Sequence, residues 1–189
     1  MTNTVSAIAA SRPSLFSEKA GLADELIDAF LAVRNETERR AAPLSPEDQL
    51  IQSMPDASPA KWHRAHTTWF FEQFLLGEHC AGYQPYHPDY AFLFNSYYVS
   101  AGPRHARARR GDLTRPSTEE ITAYRRHVDA AVVKFFREAD DDTLAALAPL
   151  VEVGLNHEQQ HQELIFTDIL HAFAQNPIPP AYDLSLIHI

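Results

Sequence analysis

His157-Glu158-Gln159-Gln160-His161 sits inside an apolar-periodic run over residues 151–174. On an α-helix, residues four apart lie one above the other, so both imidazoles face one spot. Two imidazoles placed in this way are half of a metal site, and a third ligand must come from elsewhere in the chain. The same spacing also suits two histidines that are merely packed or exposed, so a partner has to decide. His66 is the best candidate. It lies in the middle of Trp62, His66, Trp69, Phe70, Gln73 and Phe74, an aromatic stripe at three-to-four spacing, whereas His63 falls about 90° away from it. A lone histidine on an apolar face is more often a hydrogen-bonded core residue; a converging pair on a facing helix of a bundle makes it a ligand. Three neutral imidazoles leave coordination positions open, which suits a catalytic Fe(II) or Zn(II) better than a closed structural ion.

The run also reads literally as His-Glu-x-x-His, the zinc-peptidase pattern in which Glu158 is the general base. No Gly-x-x-His continuation follows, and Glu163 is the only later glutamate, too close to be a distant third ligand. Glu158 and Glu163 are therefore expected to support the site or to face solvent. Asp168 and His171 read as polar residues near a helix end, and His188 has no context that makes it a ligand. Cys80 reads as a small buried residue rather than a nucleophile.

The elements that must position these residues are helical. Leu22, Leu26, Ile27, Phe30 and Leu31 recur at helical spacing within residues 17–41, with Arg34 and the acids largely off that stripe. Ser45-Pro46-Glu47-Asp48 signals a short helix stopping near Met54. Ser58-Pro59 signals a second start, for a helix running to about Leu76. Residues 77–116 lack periodicity but hold seven aromatics among their glycines and prolines: Tyr83, Tyr86, Tyr90, Phe92, Phe94, Tyr97 and Tyr98. Such a stretch is an ordered loop rather than a linker. Ser117-Thr118-Glu119-Glu120 is a capping-box pattern opening a third long helix that ends near Arg137. Asp140-Asp141-Asp142 before Thr143 suits the positive end of the helical segment that leads into the histidine run. Four amphipathic segments without strand alternation predict an all-α four-helix bundle with one long crossover loop.

Composition agrees with one packed domain: 189 residues, 45% hydrophobic and 22% charged. The formal net charge of -9 repels polyanions, which excludes general binding of nucleic acid or an anionic membrane. With the single cysteine Cys80 no intramolecular disulfide is possible, and with no signal-type or membrane-spanning apolar run the expected location is the cytoplasm. Against this acidic balance, Arg104, Arg107, Arg109, Arg110 and Arg115 crowd one stretch of a chain with only three lysines. Arginine captures carboxylate or phosphate through two parallel hydrogen bonds, though a solvated loop pairing with the protein's own acids accounts equally well for the run.

Residues 52–72, Gln-Ser-Met-Pro-Asp-Ala-Ser-Pro-Ala-Lys-Trp-His-Arg-Ala-His-Thr-Thr-Trp-Phe-Phe-Glu, closely resemble the amino-terminal DinB-like domain of ergothioneine-biosynthesis sulfoxide synthases, also called hercynine oxygenases. The stretch from His157 to Glu163 and Phe94-Asn95-Ser96-Tyr97-Tyr98 are similar too. The resemblance implies a DinB-like domain over residues 17–182, between a flexible tail at 1–16 and an irregular one at 183–189. It implies a non-haem Fe(II) held by His66, His157 and His161. The activity implied is O2-dependent coupling of hercynine C2 to the sulfur of cysteine or γ-glutamylcysteine, delivered as a sulfoxide. Arg104 and Arg107 match the region in which family arginines hold the thiol substrate's carboxylate. Family enzymes continue into a large domain resembling formylglycine-generating enzymes, which supplies much of the hercynine pocket and the catalytic tyrosine. The chain stops at Ile189, so the expectation is an iron-binding fragment of that enzyme. Other expectations for the same bundle are a metal-dependent thiol transferase using Zn(II) or Ni(II), and a non-catalytic module that keeps its metal for stability.

Overall fold

A computed structural model describes residues 21–98 and 102–182. The expected tails at 1–16 and 183–189 lie outside the described residues, as does the expected start of the first helix at residues 17–20. Among the described residues six α-helical stretches follow one another: α1 (Leu22–Ala41), α2 (Ala60–Phe70), α3 (Gly77–His79), α4 (Tyr90–Phe94), α5 (Thr118–Glu138) and α6 (Asp141–Ala174). Among the described residues there is no strand. A π-helical turn, Phe71–Leu76, joins α2 to α3 without a break, so these three pieces act as one rod. That rod, α1, α5 and α6 make the four-helix bundle, with α1 and α2 each packed on both α5 and α6. The fold is the expected all-α bundle, and the segment between α3 and α5 is its long crossover.

Local signals explain most of the boundaries. Ser117 caps α5 through a full capping box, its hydroxyl accepting from Glu120 N at 3.1 Å while the Glu120 carboxylate accepts from Ser117 N at 2.7 Å. Asp140 caps α6 by accepting from Thr143 N at 2.7 Å. This helix therefore opens well before the periodic run at Val151 and passes through Pro149. Two expected starts resolve differently. Ser45 and Asp48 exchange backbone-to-side-chain hydrogen bonds, but the helix they open is only the 3-10 turn Asp48–Leu50. Ser58 does not cap α2; Pro59 occupies the N-cap position and the polar groups of Ser58 turn toward other partners.

Every residue of α2 is buried, because bundle partners cover one side and the crossover covers the other. The main core gathers Leu26 and Phe30 of α1, Trp69 and Phe71 of the rod, Val128, Val132 and Phe136 of α5, and Val151 and Leu155 of α6. Each of these large side chains contributes roughly 1.5–3 kcal/mol on burial. A second, smaller cluster joins Leu44, Ala60, Ile165, Ile169 and Phe173. Along α6 the buried residues between Leu155 and Ile165 are Glu158, His161 and Gln162, a polar layer separating the two apolar ones. Among the described residues no helix is long and apolar enough to cross a membrane.

Candidate metal centre

The polar layer contains the histidines singled out by spacing. His157 and His161 on α6 meet His66 on α2, with ring centroids 4.6–4.9 Å apart. One ligand-capable nitrogen from each lies within 4.8 Å of the other two, and this is the one such group of histidine, cysteine and acidic side chains among the described residues. His66 is fully buried between Trp62 and Trp69, stacked on them at 4.6 and 5.3 Å with interplanar angles of 15° and 16°. The three-to-four spacing that predicted a stripe thus builds a ring stack along the helix.

The hydrogen bonds of the first histidine identify the nitrogen left free. His66 Nδ1 lies 2.6 Å from the Phe94 carbonyl, which can only accept, so Nδ1 carries the proton and Nε2 carries the lone pair. That Nε2 faces His157 Nε2 at 3.2 Å, while His157 Nδ1 is buried without a hydrogen-bond partner among the described residues. Two ring nitrogens facing each other in a buried pocket fit a shared cation, since an ion can replace the proton between them. Burial, followed by the neighbouring imidazoles, pushes His66 well below the usual histidine range and His161 far below it. His157 is pushed down to about 4, again mainly by burial, with His63 adding and Glu158 opposing. All three rings are therefore neutral at pH 7, the form in which imidazole ligates a metal. The donor set fits a divalent transition ion with positions left open.

Glu158 takes no part in this pocket. It is completely buried, accepting from Thr37 Oγ1 at 2.7 Å, Arg34 Nη1 at 2.8 Å and Arg125 Nη2 at 3.0 Å. Burial would raise its carboxyl, but the Arg34 and Arg125 guanidiniums outweigh that and hold it at about 2. The expectation that Glu158 supports the histidines or faces solvent is corrected: it is an ionised anchor for two core arginines, which also rules out a peptidase base. Arg34, expected off the buried stripe, is only 1% exposed because Glu158 and Asp129 are its partners inside the bundle. Glu163 is exposed.

Two other residues join the site from positions that spacing did not mark. His63, 2% exposed, bridges His161 Nδ1 at 2.7 Å and Asp168 Oδ2 at 3.0 Å, and the same Asp168 oxygen accepts from Ser58 N at 2.7 Å. Burial raises Asp168, but its hydrogen bonds from His63 and Ser58 win and bring it below the ordinary carboxylate value. Asp168 is thus part of the site, whereas His171, bonded to Ser53 Oγ at 2.7 Å, is the expected polar residue near the bundle end.

Of the arginine run, Arg104 and Arg107 are exposed, the latter donating to the Asp56 carbonyl. The arginine brought to the histidines is Arg110. It is 3% exposed, lies over the Trp62 ring 3.3 Å from its centroid, and donates to Ser58 Oγ at 2.9 Å and Ser96 Oγ at 3.3 Å. Among the described residues it makes no salt bridge, though the Asp168 carboxylate stabilises its charge somewhat, and its Nε has no hydrogen-bond partner. Burial, then Arg107 and Arg104, pushes it down to about 9, still a cation at neutral pH. Its aromatic neighbour Trp62, four residues before His66, was the available signal. Phe94-Asn95-Ser96-Tyr97-Tyr98 closes the pocket: Asn95 pins the turn by hydrogen bonds with Tyr98 and Gly102, and the Tyr98 ring stands 6.4 Å from both His66 and His157. The other loop tyrosines hold the crossover down. Tyr83 and the Tyr86 amide each donate to Glu72 at 2.8 Å, on the carboxylate that Tyr124 of α5 also holds at 2.5 Å.

Comparison with known proteins agrees with this architecture at the level of a superfamily. No curated protein matches the chain. The family model of the DinB superfamily, a metal-binding superfamily, matches residues 29–165, from within α1 to within α6 and including all three histidines. The chain, an all-α bundle with three histidines converging between α2 and α6, belongs to the DinB superfamily.

Proposed function

We propose that the chain is the iron-binding part of a non-haem Fe(II), O2-dependent sulfoxide synthase that joins hercynine C2 to the sulfur of cysteine or γ-glutamylcysteine. The observation that carries this reading is the meeting of its three resembling motifs at one point. Residues 52–72 supply His66, the α6 run supplies His157 and His161, and Phe94-Asn95-Ser96-Tyr97-Tyr98 supplies the carbonyl that orients His66 and the ring that covers it. The reaction balances as one hercynine, one thiol and one O2 giving one sulfoxide and one water, the C2–H and S–H hydrogens leaving in the water. His66, His157 and His161 would hold the Fe(II), which would supply the redox chemistry that O2 and the thiol require.

The protein residues have distinct tasks in this reading. The Trp62, Trp69, Phe70 and Tyr98 rings around the histidines exclude water. Arg110, a buried cation that makes no salt bridge among the described residues, suits an anionic group of the substrate, and Arg104 and Arg107 on the same loop extend the positive field toward solvent. The cytoplasm, where cysteine thiols stay reduced, is the location this chemistry needs.

A metal-dependent thiol transferase is the second reading. It would use the same neutral histidines and the same arginine, and it is equally compatible with the superfamily match. One experiment separates the two. The full chain, loaded with Fe(II) under argon, is mixed in air-saturated buffer with hercynine and either cysteine or γ-glutamylcysteine, and O2 uptake and products are followed by electrode and mass spectrometry. O2 uptake that needs both organic substrates and yields the sulfoxide supports the proposal. No O2 uptake and no sulfoxide from the Fe(II)-loaded chain, with the Zn(II)- or Ni(II)-loaded chain joining the thiol to an added electrophile such as monobromobimane, overturns it in favour of the transferase.

A further inference from the structure

The bridge from Asp168 through His63 to His161 does something that the three-histidine cluster alone does not. A carboxylate only accepts hydrogen bonds, and Asp168 Oδ2 already takes the Ser58 amide proton, so the 3.0 Å contact is donated by His63 Nε2–H. A neutral imidazole has one N–H, which leaves His63 Nδ1 bare. The 2.7 Å contact between His63 Nδ1 and His161 Nδ1 then has one available donor, His161 Nδ1–H. His161 Nε2 is left bare. Running the bonds in reverse would require an extra proton on Asp168 or His63.

We propose that Asp168 and His63 are positioning residues that fix the tautomer of His161, so that Nε2 carries the lone pair turned to the metal. The proposal rests on the reading of His66, His157 and His161 as metal ligands. It makes His161 the counterpart of His66, whose Nδ1–H is fixed by the Phe94 carbonyl. Free neutral imidazole in a histidine side chain prefers its proton on Nε2, so a ligand that must bind through Nε2 needs a partner to draw the proton to Nδ1. His66 draws on the backbone. His161, further along α6 from that carbonyl, draws on a carboxylate through a second imidazole. Asp168 lies seven residues beyond His161, two helical turns on the same side of α6, so one helix carries the ligand and the group that orders it.

The test is long-range 1H–15N correlation spectroscopy of the metal-free full chain at neutral pH, which reports the protonated nitrogen of each histidine, paired with Zn(II) titration. In the wild type, His161 and His66 are both expected as Nδ1–H tautomers. In Asp168→Ala and in His63→Leu, His161 moves toward Nε2–H while His66 stays Nδ1–H, the unchanged His66 signal reporting a native fold. Zn(II) affinity falls about 10–100-fold in both variants, the usual loss when a ligand's supporting hydrogen bond is removed. His161 found as Nε2–H in the wild type, or unchanged in tautomer and Zn(II) affinity in both variants, overturns the proposal. A wild-type chain with the expected tautomers that binds no Zn(II) overturns the metal reading instead.

Discussion

At the scale of residues, the site is set by what burial does to ionisable groups. The three histidines are held neutral by burial, and Glu158, one residue from His157, keeps its charge because two guanidiniums face it. Both facts have measurable signs. Unfolded histidines titrate near the usual value of about 6.5, whereas His157 does so in the fold at about 4. A depressed folded value means that stability is complete above the unfolded pKa and is lost as the pH falls toward the folded one. The unfolding midpoint of the metal-free chain is therefore expected to be level above pH of about 7 and to fall steadily between roughly 6.5 and 4; a level midpoint through that window contradicts neutral buried rings. Glu158→Gln keeps the shape and removes the charge that Arg34 and Arg125 require. It is expected to cost about 3–5 kcal/mol in urea unfolding, the range for breaking a buried ion pair. A loss below about 1 kcal/mol, the range of exposed pairs, contradicts the anchoring role.

At the scale of elements, α6 and the α2 rod determine how closely the two halves of the site approach. Gly154 of α6 faces the π-helical turn, and a Cβ there would stand 2.7 Å from two carbons of the buried Phe71 ring. Gly154→Ala is therefore expected to cost about 1–3 kcal/mol by overpacking, read in the same urea titration; an unchanged or raised midpoint contradicts the close contact. The end of α1 and the extent of α5 were legible in apolar periodicity, and the start of α5 in its capping box. The π turn was not, because the rod is covered on both sides there and Phe71 is buried in the same way as every residue of α2 before it. The start of α6 was legible in Asp140-Asp141-Asp142 before Thr143, where Asp140 caps the helix, and Pro149 lies inside it without ending it.

At the scale of the whole molecule, a bundle whose apolar core is interrupted by one polar layer has the crossover loop folded over that layer. The three-histidine set was legible because i, i+4 spacing on one helix and an aromatic stripe on another each point to a face. Arg110, His63 and Asp168 were not, because their roles depend on how the loop returns over Trp62 and how α2 is rotated against α6, and tertiary packing alone fixes both. The sequence pointed to Arg104 and Arg107 through the resemblance; the structure buries Arg110 beside the histidines and leaves the other two exposed. All of these readings depend on the metal, and anaerobic calorimetric titration of the full chain with Fe(II) tests it most directly. One ion per chain is expected for the wild type and for the control His171→Ala, which lies outside the site. His66→Ala, His157→Ala and His161→Ala are each expected to lose more than the roughly 100-fold that a missing supporting hydrogen bond costs. Fe(II) affinity left unchanged by His66→Ala and His157→Ala would contradict the account.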